Sequence, residues 1–310
     1  MKAIRLHARG GPEQLVYEDA PMPEPAYREV CIRVHAAAIT PTELTWDESY
    51  QYTDGRARIP AIPGHDVCGV VESIGRAAIG LKVGDEIFGL IDFPHDGSLA
   101  EFVCAPAADL APKPRTLDHI HAAAVPLSAL TAWQALFEHG DLEPGQRVLI
   151  HGAAGGVGGF AVQMARSRGA HIIATASPRH IEPLRALGVN EIIDYTSVQF
   201  ESAVSNVDLV FDTVGGETQE RSFQTLRRGG RLISIAAPPL PAKALEAGVD
   251  AMFFIVRPNR SQLIEIGKLI DAGKLKVAVQ SVFPLSRTKE AFELAAAGHL
   301  QGKIVVQVVQ

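Results

Sequence analysis

Two stretches of this chain carry residue types at spacings that could do chemistry. The first is "IPGHDVCGVVESIG" (62–75), in which His65, Asp66 and Cys68 fall within four residues. Imidazole, carboxylate and thiol are all metal ligands, so the cluster raises the question of a zinc site. The second is "RVLIHGAAGGVGGFAVQMAR" (147–166), an apolar run, a glycine-rich turn and then a helical pattern. Ala153, Gly155 and Gly158 make an A-x-G-x-x-G variant of the dinucleotide fingerprint in the required strand–turn–helix context. Gly155 lets the backbone approach a pyrophosphate, and Gly158 lets the helix pack close to the strand. Gly156 and Val157 open that helix, whose free N–H groups and positive dipole end face the phosphates.

The end of the next strand sets the cofactor preference. An NAD site carries an acid about 20 residues past the fingerprint, bonded to the ribose 2′-OH. Here that strand ends "IIATASPRH", with Ala176 at the acidic position, followed by Ser177, Pro178 and Arg179. A hydroxyl and a guanidinium bind a 2′-phosphate that a carboxylate would repel. The cofactor expected is NADPH. Asp194 lies too far along to serve an NAD ribose and is read as capping a strand end.

The elements that must position these groups follow from periodicity. "EVCIRVHAAAI" (29–39) sets Val30, Ile32 and Val34 against Cys31, Arg33 and His35, the alternation of a strand. "DVCGVVESIG", "DEIFGLI" and "LAEFVCAP" are further short strands, so the first hundred residues read as β-rich and barrel-like. "HIHAAAVPLSALTAWQALFEHG" reads as helices broken at Pro126 and stopped at Gly140. From Arg147 strands and helices alternate: "RVLIHG", "HIIATAS", "EIIDY", "VDLVFDTVG" and "RLISIAA" as strands, with "TQERSFQTLRRGG" among the helices. That alternation predicts a doubly wound parallel sheet with right-handed crossovers. A last helix, "NRSQLIEIGKLIDAG", leads through "VFPLSRTKEAFELAAAG" to the closing strand "GKIVVQVVQ".

Composition narrows the function classes. The chain has 310 residues, 47% of them hydrophobic, and a formal net charge of -6. Without a dense basic run, nucleic acid and anionic membranes are poor partners. Nothing approaches the roughly 18 apolar residues of a membrane span, and the N-terminus lacks a signal-peptide core. The three cysteines, Cys31, Cys68 and Cys104, are widely separated and odd in number. They argue against a disulfide framework and for a reducing, cytoplasmic setting.

"PGHDVCGVVESIG", "GLKVGDEIFG", "DGSLAEFV", "AAAVPLSALTAWQAL", "EPGQRVLIHGAAGGVG", "FDTVGGE" and "GKIVV" occur in the order seen in the medium-chain dehydrogenase/reductase superfamily. The chain resembles its zinc-independent quinone oxidoreductase branch, which includes zeta-crystallin-like proteins and enone reductases. The resemblance implies a GroES-like catalytic domain (1–121 and 264–310), an inserted Rossmann domain (122–263) and an active site in the cleft between them. It implies that Thr40 and Thr131 lie near the nicotinamide and Tyr195 beside the adenosine 2′-phosphate. It places Ala236, in "SIAAP", beneath the nicotinamide ribose, and Phe254 and Val256, in "FFIVRP", at the carboxamide. Thr40, Trp46, Tyr50 and Tyr52 fall in the segment that lines the substrate pocket, with Tyr52 a candidate catalytic hydroxyl. Trp46 and the tyrosines read equally as packing residues.

The same resemblance bears on zinc. Zinc-dependent relatives carry a G-H-E motif, an upstream cysteine and a downstream cysteine or acid. The upstream position falls in "AITPTEL", which offers Thr40 and Glu43, and the downstream one in "VPLSAL", which offers no soft ligand. His65 and Cys68, three apart on a strand, point to opposite faces. The expectation is a zinc-free site, with His65 a hydrogen-bonded residue at a strand entrance. The chemistry expected is hydride transfer from NADPH to a quinone or an α,β-unsaturated carbonyl. The alternatives are an NADPH-binding regulatory or scaffold protein on the same fold and an enoyl-thioester reductase. The apolar "VDAMFFIV" (249–256), expected at a sheet edge, suggests a homodimer.

Overall fold

The computed structural model describes residues 1–52, 54–298 and 300–309. It divides into two units, Met1–Leu130 with Arg257–Gln310, and Thr131–Val256. The boundary residues Leu130 and Thr131 lie within the helix Pro126–Trp133.

The first unit opens with a hairpin of β1 (Lys2–Leu6) and β2 (Leu15–Asp19). β3 (Glu29–Ala38), β4 (Asp66–Ile74), β5 (Glu86–Leu90), β6 (Phe102–Pro106) and β7 (Leu110–Pro112) follow. β3 is the hub, pairing antiparallel with both β4 and β6. Its alternation works as the sequence suggests: Val30, Ile32 and Val34 enter a core with Val67, Val71, Ile87, Val103 and Leu110.

The second unit holds β8 (Arg147–Ile150), β9 (His171–Ala176), β10 (Glu191–Asp194), β11 (Val207–Asp212), β12 (Leu226–Ser234) and β13 (Asp250–Phe253). They form one sheet in the order β10-β9-β8-β11-β12-β13, every pair parallel. Strand order reverses between β8 and β11, and in such sheets ligands bind beyond the carboxyl ends at that point. β13 takes the edge expected of "VDAMFFIV".

The chain then returns to the first unit with the helix Arg260–Asp271, β14 (Val279–Pro284), the helix Thr288–Ala296 and β15 (Lys303–Gln307). β15 pairs with β14 and with β3. The architecture is thus the expected GroES-like unit plus a Rossmann sheet. Two local readings change. β14 did not stand out in the sequence, and "TQERSFQTLRRGG" is a helix only over Gly216–Ser222, because β12 already begins at Leu226. Among the described residues no helix is long and apolar enough to cross a membrane.

Candidate active site

The second unit builds the cofactor cradle. β8 ends at Ile150, and the helix Gly156–Arg168 starts with Gly155 as its N-cap. A Cβ on Gly158 would stand 2.2 Å from Gly152 O, so only glycine lets the helix sit this close to the turn. A Cβ on Gly155 would meet nothing nearer than Gly152 O at 3.3 Å, which leaves its outer side clear for a phosphate. Ala153 is fully buried under the turn, while Gly156 and Val157 are half-buried in the first helical turn. Gly152, missed by the sequence reading, holds a left-handed φ of 67° that turns the chain out of β8.

The residues expected at a 2′-phosphate come from the ends of two neighbouring strands. Asp194 pairs with Ala176 across β10 and β9, so Tyr195 and Ser177 leave the sheet side by side. Ser177 Oγ is buried without a hydrogen-bond partner, a hydroxyl that lacks an acceptor or donor until something enters. Arg179 follows on a short 3-10 turn, exposed, its Nε 3.1 Å from His180 Nε2. Tyr195 is exposed as well. Asp194 caps the strand end as expected, its Oδ1 accepting from Thr196 N and Thr196 Oγ1.

Two buried groups that the sequence did not mark shape the loops at this end of the sheet. Asp212 Oδ1 accepts from Val214 N and Gly215 N, and its Oδ2 from Gln219 Nε2 and Ser234 Oγ. Ser234 Oγ also accepts from Ala236 N at 3.1 Å, so one carboxylate fixes the loops after β11 and β12 together. Ala236, expected beneath the nicotinamide ribose, is thus held at the end of β12 by Ser234. His151 bridges Thr175 Oγ1 and Ser222 Oγ at 2.9 Å each, and burial depresses its pKa to about 4. Phe254 and Val256 are buried just past β13, Phe254 with its ring 4.6 Å from that of His139. Thr131 is buried in its helix, immediately before a π-helical turn, Gln134–His139, of the kind that concentrates at functional sites.

The first unit holds the other half of the predicted residues, around a buried polar cluster. Lys303 Nζ lies 3.0 Å from Asp66 Oδ2 and donates to Thr40 Oγ1 at 3.3 Å. Asp66 Oδ1 accepts from Leu127 N at 2.6 Å, which explains why "VPLSAL" abuts this site without offering it a side chain. Glu43 Oε1 accepts a long bond from Thr40 N, and its Oε2 has no hydrogen-bond partner. Burial, only partly offset by the Lys303 ammonium, pushes the Glu43 pKa up to about 8. Glu43 is thus a neutral acid at neutral pH; burial raises the Asp66 pKa too, with Lys303 and the Leu127 N–H opposing it.

His65 stands at the entrance to β4 but is not the hydrogen-bonded residue expected. Neither ring nitrogen makes a hydrogen bond, and the ring packs against Trp46 and Phe93 at 6.0 and 4.8 Å. Burial, with Arg58 second, lowers its pKa to about 3 and keeps it neutral. Cys68 points elsewhere, its Sγ 3.2 Å from His119 Nδ1. Among the described residues, no three of histidine, cysteine, aspartate and glutamate gather where they could hold a metal ion. The donor set does not fit zinc: an ammonium already stands beside Asp66, and Thr40 replaces the thiolate.

Of the aromatic residues expected near the substrate, Trp46 packs on His65, and Tyr50 is buried with its hydroxyl donating to Leu44 O at 2.6 Å. Tyr50 is therefore a packing residue. Tyr52 is exposed, beneath the Arg56 guanidinium.

Comparison with known proteins places this geometry among relatives. The alcohol dehydrogenase GroES-like domain matches residues 26–115, and the family described as zinc-binding dehydrogenase matches residues 187–306. The mitochondrial NAD(P)H oxidoreductase RTN4IP1 of Danio rerio is 31% identical, over 91% of this chain and 84% of that protein. The chloroplastic NADPH-dependent alkenal/one oxidoreductase of Arabidopsis thaliana is 32% identical, over 99% of this chain and 79% of that protein. Among solved structures, the quinone oxidoreductase from Coxiella burnetii superimposes with a TM-score of 0.92 at 32% identity, covering 100% of this chain and 99% of that one.

Proposed function

We propose a reaction for this chain from the premise that it belongs to the medium-chain dehydrogenase/reductase superfamily, among the quinone and enone oxidoreductases. It is an NADPH-dependent oxidoreductase that reduces a quinone or an α,β-unsaturated carbonyl. The observation that carries the cofactor assignment is the end of β9, where an orphaned buried hydroxyl on Ser177, the Arg179 guanidinium and Tyr195 replace the acid of an NAD site. The helix Gly156–Arg168 and the open side of Gly155 would hold the pyrophosphate. NADPH, when bound, supplies the hydride.

The chain's own contribution is to position and to manage charge. Lys303 donates to Thr40 Oγ1, which leaves the Thr40 proton free to point away from the cluster. A threonine hydroxyl polarised by an ammonium is a suitable donor to an oxygen that gains negative charge as a carbonyl or quinone is reduced. Thr40 is accordingly the proposed hydroxyl of the reaction, with Lys303 behind it. Tyr52 is the weaker choice, since its exposed ring packs under Arg56 and, among the described residues, no polarising ammonium stands at its hydroxyl as Lys303 does at Thr40.

We further propose that the enzyme works without zinc. The support is the donor set, in which Lys303 already provides Asp66 with a cation. A homodimer through the β13 edge belongs to the same proposal, supported by the place of that strand at the end of its sheet. The deciding experiment follows NADPH consumption with a panel of quinones, enones and simple alcohols, together with metal analysis of protein purified without chelator. Turnover confined to alcohols, or stoichiometric zinc, would refute this reading.

A further inference from the structure

The three cysteines are free, and their sequence spacing suggests no pairing. The fold brings two of them face to face. In the β3–β6 ladder Cys31 is directly opposite Cys104. The neighbouring hydrogen bonds fix what kind of pair this is. Val34 N donates to Glu101 O at 2.9 Å, and Ala107 N donates to Arg28 O at 3.0 Å, both in the same register.

Directly opposed bonded pairs recur at every second residue of an antiparallel ladder. Val30–Ala105 and Ile32–Val103 are therefore the bonded pairs, and Cys31–Cys104 is a non-hydrogen-bonded one. Pro106, opposite Glu29, agrees with this phase. Lacking an N–H, it fits only where its nitrogen faces away from β3. Opposed residues of a non-hydrogen-bonded pair hold their Cα atoms about 4.5 Å apart, with side chains close. That lies within the Cα separation of about 4.4–6.8 Å that a disulfide spans.

We propose that Cys31 and Cys104 are a reversible dithiol–disulfide site, formed by exchange with a low-molecular-weight disulfide. Access supports the order of events. The pair lies on the face of β3 opposite Val30, Ile32 and Val34, outside the core those residues make. Cys104 is half-buried and lines a cleft of about 360 Å³ together with Met22, Pro23, Glu29 and Phe102. Cys31 lies behind it, buried, with its Sγ near Pro23 O. The shared contact draws the Cys31 thiol below its ordinary pKa and pushes the Cys104 thiol well above its own, so the thiolate of the pair sits on Cys31 while the more accessible sulfur is Cys104.

The Cys31 thiolate takes the Cys104 proton as Cys104 Sγ attacks one sulfur of the small disulfide, forming a mixed disulfide and expelling one small thiolate, which then removes the proton from Cys31. The Cys31 thiolate then attacks Cys104 Sγ, forming the Cys31–Cys104 bond and expelling the second small thiolate. Two protein thiols lose two electrons and two protons, and the small disulfide becomes two thiols. The product ties β3, the hub of the first unit, to β6.

The test treats the reduced full-length chain with oxidised glutathione and reads free thiols, intact mass and a non-reducing peptide map. The expected result is a fall from three titratable thiols to one, the loss of two hydrogens in mass, and one peptide joining 31 to 104, all reversed by a dithiol. Cys31→Ser should retain one glutathione on Cys104, and Cys104→Ser should remain unmodified. Cys68, fully buried, is the thiol that stays. Three thiols that react only after unfolding, or a bridge through Cys68 or between chains, would overturn the proposal. If a serine variant does not fold, the peptide map of the unaltered chain still decides.

Discussion

Replacing Glu43 by glutamine should stabilise this protein, and should do so more as pH rises. Glu43 is fully buried, and its pKa is pushed up from 4.5 to about 8. In the unfolded chain the carboxyl ionises near 4.5, whereas in the folded chain it holds its proton to about 8. The folded state therefore binds the extra proton, and stability falls as pH climbs through that window. Below it both states are neutral and nothing is lost. Above it both are ionised and the loss is complete. At about 1.36 kcal/mol per pKa unit, the full loss is on the order of 5 kcal/mol, and about 3 kcal/mol of it is incurred by pH 7.

Glutamine escapes this cost and keeps the acceptor for Thr40 N. Its amide N–H groups find no acceptor where Oε2 now sits, but the protonated acid has the same deficiency, so that contribution cancels. The assay is urea denaturation of Glu43→Gln and the parent at pH 5 and pH 8, read through Trp46. Trp133 is replaced by phenylalanine so that only the first unit reports, since two units need not unfold together. The expected result is near-equal stability at the lower pH and a clear gain for the variant at the higher one. The opposite charge assignment, with Glu43 ionised against Lys303 and Asp66 protonated, predicts a loss for the variant at both values. A difference that does not change with pH would refute the reasoning as well.

Three further outcomes follow from the same geometry. Gly158→Ala forces its Cβ against Gly152 O and should cost about 1–3 kcal/mol by thermal denaturation, with NADPH binding weakened in titration calorimetry. Arg179→Glu replaces a charge-assisted contact with repulsion and should raise the NADPH dissociation constant by roughly tenfold or more while leaving that for NADH little changed; equal effects on both would remove Arg179 from the 2′-phosphate. Lys303→Met strands a buried Asp66 carboxylate and should cost about 3–5 kcal/mol, much of it restored by adding Asp66→Asn, which keeps the Leu127 N bond.

What the sequence disclosed, and what it hid, divides by distance along the chain. The cradle was legible because its parts are contiguous: strand, turn and helix N-terminus occupy twenty residues, and the steric need for Gly158 is local. Strand alternation found β3 and most of the parallel sheet for the same reason. β14 escaped because none of its residues is fully buried and it precedes a helix that dominates the pattern. The start of β12 escaped because two arginines and two glycines mimic a helix end. Asp212 and His151 escaped because nothing local marks a carboxylate or imidazole as buried, and their partners come from other loops and strands. The Cys31–Cys104 pair is the extreme case, since only the ladder's register brings those residues together.

Lys303 carries that argument into the chemistry. It is 263 residues from Thr40 in sequence, so no reading of "GHDVC" could have included it. Without it, Asp66 beside Thr40, Glu43 and His65 looks like a metal shell short of one ligand, and the missing thiol reads as a loss. With it, the cluster holds a cation: Lys303 opposes the burial that raises both the Asp66 and Glu43 pKa values, and it stands against Asp66 Oδ2. His65 stays neutral against Trp46 and Phe93. A dication placed here would face an ammonium across Asp66, a repulsion that a buried site screens poorly. In the zinc-free reading proposed above, the closing strand supplies a fixed charge where a metal-dependent relative would place an ion. In the proposed reaction, that fixed charge polarises the Thr40 hydroxyl instead of binding a substrate oxygen directly, which suits an acceptor that is already electrophilic.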